Sequence, residues 1–381
     1  MNRPIYLDYN GTTPLHPEVM ETMRIYMDRE FGNPSSSHWY GIAPRRAVEN
    51  ARREVAGLLN CDPREIVFTS GGTESNNHAI KGSVWARRAR GNHIVTSTVE
   101  HPAVLEVCRY LEKWGFETTY LSVDAYGRVD PQAVEKAIRP ETILITIMHA
   151  NNEVGTIQPI SEIARIAKAH EIVFHTDAAQ STGKIETDTK SLGIDLLSVA
   201  GHKIYGPKGI GALFVKRGTV LDNFCHGAGQ EMGFRGGTEN VMAIAGLGTA
   251  CELMRRDFTV QREKMRSLSL LLASGIMSQL TDVRLNGHPE LRLPNTLSLS
   301  FKGVMANRIL EEIGLEIAVS AGAACHSDKV DISHVLKAMN VPLEWAGGTL
   351  RFSLGRMTTE AEIQKALPII VDAVKKIRKE L

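Results

Sequence analysis

The stretch "IDLLSVAGHKIYGPKGIGALFV" at residues 194–215 holds two apolar runs, 194–200 and 210–215, around a polar turn rich in glycine. Both runs read as β-strands. Between them stands Lys203, with His202 before it and a Gly-Pro pair at 206–207. One reading makes Lys203 a solvated turn lysine that keeps a sheet edge soluble. The other makes it a chemical amine, since a buried or cation-flanked lysine loses affinity for its proton and can then form an imine with a carbonyl cofactor. The turn alone leaves both open, so the rest of the chain must supply or withhold the partners of such a cofactor.

Working outward, β-rich runs alternate with helical patterns from about residue 63 to 215: "EIVFTS", "ESNNHAIKGSVWARRA", "HIVTS", "PAVLEVCRYLEKW", "TILITIM", "ISEIARIAKAH", "IVFHT" and "LLSVA". This order predicts an α/β fold with a mainly parallel sheet covered by helices on both faces. Ile160, Ile163, Ala164 and Ala167 recur at helical spacing and give one such helix its sheet-facing side. Beyond about residue 258 the pattern changes to a long charged helix, the strands "TLSLSF", "EIAVS" and "TLRFSL", and a last amphipathic helix. We therefore expect a large domain over 15–258 and a smaller α+β domain from 259–381, completed by residues 1–14.

The chain has 381 residues, with 44 basic and 43 acidic side chains and a net charge of +1. Without a basic tract or an acidic tail, nothing points to nucleic acid or to an anionic membrane surface. The five cysteines (61, 108, 225, 251 and 325) form no C-x-x-C pair, which argues against a disulfide framework and against a structural zinc site. No basic and apolar leader opens the chain, and no apolar run approaches the roughly 20 residues that span a bilayer. The expectation is a cytoplasmic protein with a small-molecule substrate and no metal.

In a doubly wound sheet, ligands bind at loops leaving the carboxyl ends of the strands. Five such loops carry polar residues. "GGTESNN" (71–77) puts Gly72 and Thr73 at a helix start, where free N–H groups favour an anion, although Gly-Gly-Thr also makes an ordinary helix start. "TDAAQ" (176–180) puts Asp177 at the end of an apolar run, as a turn residue or as the acid partner of a pyridine nitrogen. His101, in "STVEHPAV" (97–104), fits a ring-stacking role and a helix-capping role about equally. Asn151 and Asn152 follow a fourth strand, and Lys203 a fifth. Independent turns would rarely combine a lysine amine, an anion cradle, a histidine and a buried acid, and one cofactor, pyridoxal phosphate, requires all four.

The motifs "LDYNGTTP" (7–14), "FGNPSS", "FTSGGTESNN", "NNEVG", "HTDAAQ", "GHKIYGPKGIGAL", "RGGTEN", "LPNTLSLSF", "GAACHSD" and "LRFSLGR" (350–356) occur in that order. With them the chain resembles the cysteine desulfurase and selenocysteine lyase family, of the class V aminotransferase fold. The resemblance covers nearly the whole chain. It implies fold type I of the pyridoxal-phosphate-dependent transferases and a homodimer. It makes Lys203 the Schiff-base lysine and the base that moves the substrate Cα proton. Gly72, Thr73 and His202 would hold the phosphate, with Thr238 reaching in from the other subunit. Asp177 would pair with the ring nitrogen, Gln180 with the phenolic oxygen, and His101 would stack on the ring as a catalytic residue. Asn152, counted also among the cofactor contacts, and Arg351 would bind the substrate carboxylate. Many relatives carry a serine two residues before the His-Lys pair, where Ala200 stands here, so one phosphate hydrogen bond would be missing.

"SAGAACHSDKV" (320–330) surrounds Cys325 with small residues, which suits a flexible loop and an exposed, reactive thiol. His326 is its sequence neighbour, which does not place the two side chains in contact. The other four cysteines read as inert. By resemblance, L-cysteine would yield alanine while its sulfur passes to Cys325 as a persulfide, for delivery to a sulfur-acceptor protein as in iron–sulfur cluster assembly. L-selenocysteine is the alternative substrate, because "GAACHSD" and "RGGTEN" lean toward the lyases. A non-enzymatic sulfur-transfer scaffold and a simple aminotransferase are the remaining readings.

Overall fold

The computed structural model describes residues 3–326 and 329–380, apart from the side chains of 323–331. Seven strands form one sheet in the order Ile66–Thr69, Gly211–Val215, Leu196–Ala200, Val173–Asp177, Thr142–Thr146, His93–Ser97 and Glu117–Leu121. Gly211–Val215 runs antiparallel to both neighbours, and the other neighbouring pairs are parallel. The sheet is thus mainly parallel, as its alternating sequence predicts.

Successive residues of these strands divide between two cores, as the two-residue period of a strand requires. Phe174, Leu197, Ile145 and Phe68 face helices Ile42–Leu59 and Val241–Arg256. Val173, Leu196, Leu144 and Val67 face helices Gly72–Arg87 and Pro102–Glu112. Burial on both faces explains why the runs are apolar throughout. Glu117–Leu121 breaks that pattern because it is an edge strand, and its "ETTYL" is mostly half-exposed.

A four-stranded antiparallel sheet, ordered Ser320–Ala321, Thr349–Ser353, Thr296–Phe301 and Val283–Asn286, forms the second layer system. Leu297, Leu299, Phe301, Leu350 and Phe352 pack with helices Phe258–Gln279, Ala306–Ile313 and Glu360–Glu380. Ile5 and Leu7 join that core, and Ile5–Tyr6 pairs in parallel with Ile317–Ala318. The alternate face of this sheet is polar: Ser298 lies opposite Arg351, and Arg351 opposite Ser320. The predicted strand "EIAVS" is split, its first part pairing with the N-terminal strand and its end entering the four-stranded sheet.

The expected loop around Cys325 is corrected. Ala323–His326 and Lys329–Ile332 form a two-stranded antiparallel hairpin, with Cys325 opposite Val330. Val330 and Ile332 favour extended backbone, which outweighs the run of small residues. The side chains of Cys325 and His326 lie outside the described residues.

Candidate active site

The carboxyl ends of the parallel strands open into a cavity of about 290 Å3. Gly72, Thr73, His101, Asn152, Asp177, Gln180, His202, Lys203 and Arg351 all line it. The 201–203 turn does not lie on a solvated edge. It is a single 3-10 turn packed against residues 10–13, where Thr13 donates its N–H and hydroxyl to the His202 carbonyl at 2.9 and 3.0 Å. Tyr205 adopts a left-handed backbone with φ 66°, unusual for an aromatic residue. Its N–H donates to the Thr13 hydroxyl at 2.8 Å and its own hydroxyl accepts from the Arg356 N–H at 2.6 Å, which fixes the conformation.

Lys203 Nζ donates to the carbonyls of Asn10 (2.5 Å) and Gly11 (2.7 Å) and meets no carboxylate among the described residues. Burial, reinforced by Arg351 and opposed by Asp8 and Asp177, lowers its pKa to about 8. A sizeable fraction is then the free amine near neutral pH, as a carbonyl-capturing lysine needs.

At one end of the cavity helix Gly72–Arg87 begins. Gly71, its N-cap, has φ 144° and ψ −178°, a conformation restricted to glycine. A Cβ on Gly72 would lie 3.3 Å from the Ala200 Cβ, so backbone rather than side chain faces the cavity there. The first N–H groups of the helix have no intrahelical acceptors, and with the Thr73 side chain they make an anion cradle. His202 shares a hydrogen bond with the Thr12 hydroxyl (3.1 Å). Burial and the neighbouring Lys203 lower its pKa to about 4, so it is neutral at pH 7.

Asp177 closes its strand 6% exposed, accepting from Ala179 N–H at 2.9 Å and from the Asn76 amide at 2.7 Å. Asn76 also lines the cavity, and its buried Oδ1 has no partner among the described residues. His101 caps helix Pro102–Glu112, its Nδ1 accepting from Ala103 N–H at 3.1 Å. The helix-capping alternative from the sequence holds, and His101 also lines the cavity. Accepting at Nδ1 leaves the neutral ring's proton on Nε2, and burial lowers the pKa despite the attraction of Asp177.

Arg351 projects from the polar face of the smaller sheet. Its Nη1 donates to the Asn152 carbonyl (3.1 Å), and its Nη2 to Asp8 (2.7 Å) and the Ser320 hydroxyl (2.9 Å). Its buried Nε has no partner among the described residues. The cavity thus offers an anion cradle, an amine, a buried carboxylate and a guanidinium, suited to a phosphorylated aromatic aldehyde together with an amino-acid carboxylate.

Thr238 does not line this cavity. It borders a separate one of about 200 Å3 with Ser70, Gly209 and Arg235. Sequence reasoning missed Asn10, which joins nearly every part of the site. Its carbonyl accepts from Lys203 and from Gln180 Nε2 (3.0 Å), and its amide nitrogen donates to the Thr296 hydroxyl (2.8 Å) and the Asn152 carbonyl (3.1 Å). Nothing in "DYNG" distinguishes Asn10 from an ordinary turn residue. Lys184 was missed as well, although it stands four residues after Gln180. Cys108 and Cys251 are buried, which pushes both thiols up, and Cys61 is pushed up to about 12 by burial with nearby carboxylates adding to it.

The class V aminotransferase family model matches residues 5–366. The cysteine desulfurase IscS of Dictyoglomus turgidum is 48% identical over 99% of this chain and 96% of its own length. The IscS of Methanosarcina thermophila is 46% identical (99% and 93% covered), and the human cysteine desulfurase 43% (99% and 83%). Among solved structures, a NifS-like protein superposes with TM-score 0.91 at 36% identity, covering 99% of this chain and all of that one. A structure titled SspA in complex with cysteine gives 0.82 at 38% identity, covering 93% and 100%. Fold and site together define a class V aminotransferase scaffold. Within that class the chain belongs to the cysteine desulfurase family, and the selenocysteine lyase alternative is not favoured.

Proposed function

We propose that this chain converts L-cysteine to L-alanine with pyridoxal phosphate joined to Lys203, leaving the sulfur as a persulfide on Cys325. The observation that carries the reading is Lys203, an amine of lowered proton affinity facing Asp177, the Gly71–Thr73 cradle and Arg351 across one cavity. The fit to the cofactor is supported by the glycine-only turn before the cradle and by the partnerless Oδ1 of Asn76 at the cavity wall. When bound, pyridoxal phosphate supplies an electron-withdrawing ring that acidifies the Cα–H of an attached amino acid.

The chain's own groups do the rest. Gly72, Thr73 and His202 hold the phosphate, Asp177 keeps the ring nitrogen protonated, and Gln180 donates to the phenolic oxygen. His101 covers the ring face with its proton on Nε2, burial holding its pKa below the usual histidine value. Arg351 and Asn152 take the substrate carboxylate. Lys203, once released, removes the Cα proton. The Cys325 thiolate attacks the substrate sulfur: a new S–S bond forms, the Cβ–S bond breaks with its electron pair left on the carbon side, and protonation at Cβ and at Cα gives alanine.

We further propose a homodimer in which Thr238 serves the partner's phosphate site, which its distance from its own chain's cavity supports. The chain divides into a domain of 15–258 and a smaller one of 1–14 with 259–381, supported by the separate cores of the two sheets. A sulfur-acceptor protein is the expected partner. The setting is cytoplasmic, in keeping with four described cysteines that are all free.

The test is product analysis with pyridoxal phosphate and L-cysteine or L-selenocysteine. Alanine from L-cysteine in the wild type, abolished in Cys325→Ala, is the expected result. No alanine would overturn the reading, and a 2-oxo acid in its place would indicate transamination.

A further inference from the structure

Lys184 is 6% exposed and no carboxylate among the described residues pairs with it. Its ammonium donates to two neutral amide oxygens, Gln180 Oε1 at 3.0 Å and Asn10 Oδ1 at 3.2 Å. A buried cation without a counter-ion is costly. Stability alone therefore gives no reason for a lysine here. Burial, with Lys203 and Arg351 adding to it, lowers its pKa to about 7.

The geometry around Gln180 supplies a reason. A peptide carbonyl can only accept, and Lys184 donates both as the ammonium and as the neutral amine. With Oε1 facing Lys184 and Nε2 facing the Asn10 carbonyl, the amide has one permitted orientation. One N–H of Nε2 is bonded to Asn10, which leaves the other to serve the cavity that Gln180 lines. The same Asn10 carbonyl seats Lys203. The turns of 178–185, where Lys184 and Ile185 both donate their N–H groups to the Ser181 carbonyl, bring Lys184 back beside Gln180.

We propose that Lys184 is a positioning residue that locks the Gln180 amide with its N–H toward the cofactor and, through Asn10, steadies the seat of Lys203. This rests on the proposed cofactor site and extends it to a residue that does not itself line the cavity.

The test uses the full chain stripped of cofactor and titrated with pyridoxal phosphate, in wild type, Lys184→Met, Gln180→Ala and the double variant. The readouts are the dissociation constant, the absorption maximum of the bound cofactor and the melting temperature of the stripped protein. Lys184→Met trades a buried cation for an apolar side chain but leaves Gln180 Oε1 without its donor, so it is expected to fold with a melting temperature close to that of the wild type while its dissociation constant rises about tenfold, the scale of one lost hydrogen bond to a charged group. The absorption maximum should move the same way as in Gln180→Ala, and the double variant should bind no worse than Gln180→Ala alone. An unchanged dissociation constant in Lys184→Met, or losses that multiply in the double variant, would overturn the proposal. Should Lys184→Met not fold, Lys184→Leu takes its place with the same expected outcome. A wild type that fails to bind the cofactor at all would instead defeat the cofactor reading beneath it.

Discussion

Lys203 loses proton affinity for a local reason. Its ammonium is drawn into a turn where two carbonyls accept from it, burial disfavours its charge, and the repulsion of Arg351 is larger than the attraction of either Asp8 or Asp177. Only the neutral amine adds to an aldehyde. Covalent capture of pyridoxal phosphate by the stripped protein should therefore speed up with pH about a midpoint near 8, followed by absorbance, whereas an ordinary lysine would titrate near 10.5. The linked stability effect has a definite sign: between about 8 and 10.5 the unfolded lysine holds a proton that the folded one has lost. The lysine's contribution to stability therefore grows as pH rises through that window. A capture midpoint above 10 would show that the turn does not perturb Lys203.

At the scale of elements, the site depends on how strands end and helices begin. Gly71 permits the turn from strand Ile66–Thr69 into helix Gly72–Arg87, and beyond its two chain neighbours no atom lies within 4 Å of where its Cβ would stand. Gly71→Ala therefore meets no clash, only backbone strain of about 1–3 kcal/mol. It should lower stability by that amount in denaturant melts and weaken cofactor binding by tilting the cradle; a neutral substitution would contradict the cradle's geometry. Much of this was legible in the sequence, because a strand buried on both faces must be apolar and its polar end residues then stand out. Asp177, His101 and Lys203 were found in that way. The edge strand Glu117–Leu121 escaped notice because half-exposed residues follow no apolar rule. Asn10 and Lys184 escaped because their significance lies in partners 142 or more positions away or across a turn, which spacing does not encode. The hairpin at Cys325 was hidden by its small residues, which describe a loop equally well.

Across the whole molecule, the cavity joins two sheets with separate cores. The large sheet supplies the lysine, the acid and the cradle, the small one supplies Arg351, and residues 8–13 tie them together through Asp8, Asn10 and Thr13. In the proposed homodimer, Thr238 would serve this plan from the second copy of the chain. Thr238→Ala should raise the pyridoxal phosphate dissociation constant about fivefold, the scale of one hydrogen bond, and sedimentation should report a dimer. A fully active monomer would contradict the shared site. The covalent bond at Lys203 is the claim beneath all of this, and it can be fixed chemically. Borohydride reduction of the cofactor-loaded protein, followed by digestion and mass analysis, should find the pyridoxyl mass on Lys203 and nowhere else; a label on another lysine, or none, would contradict the account.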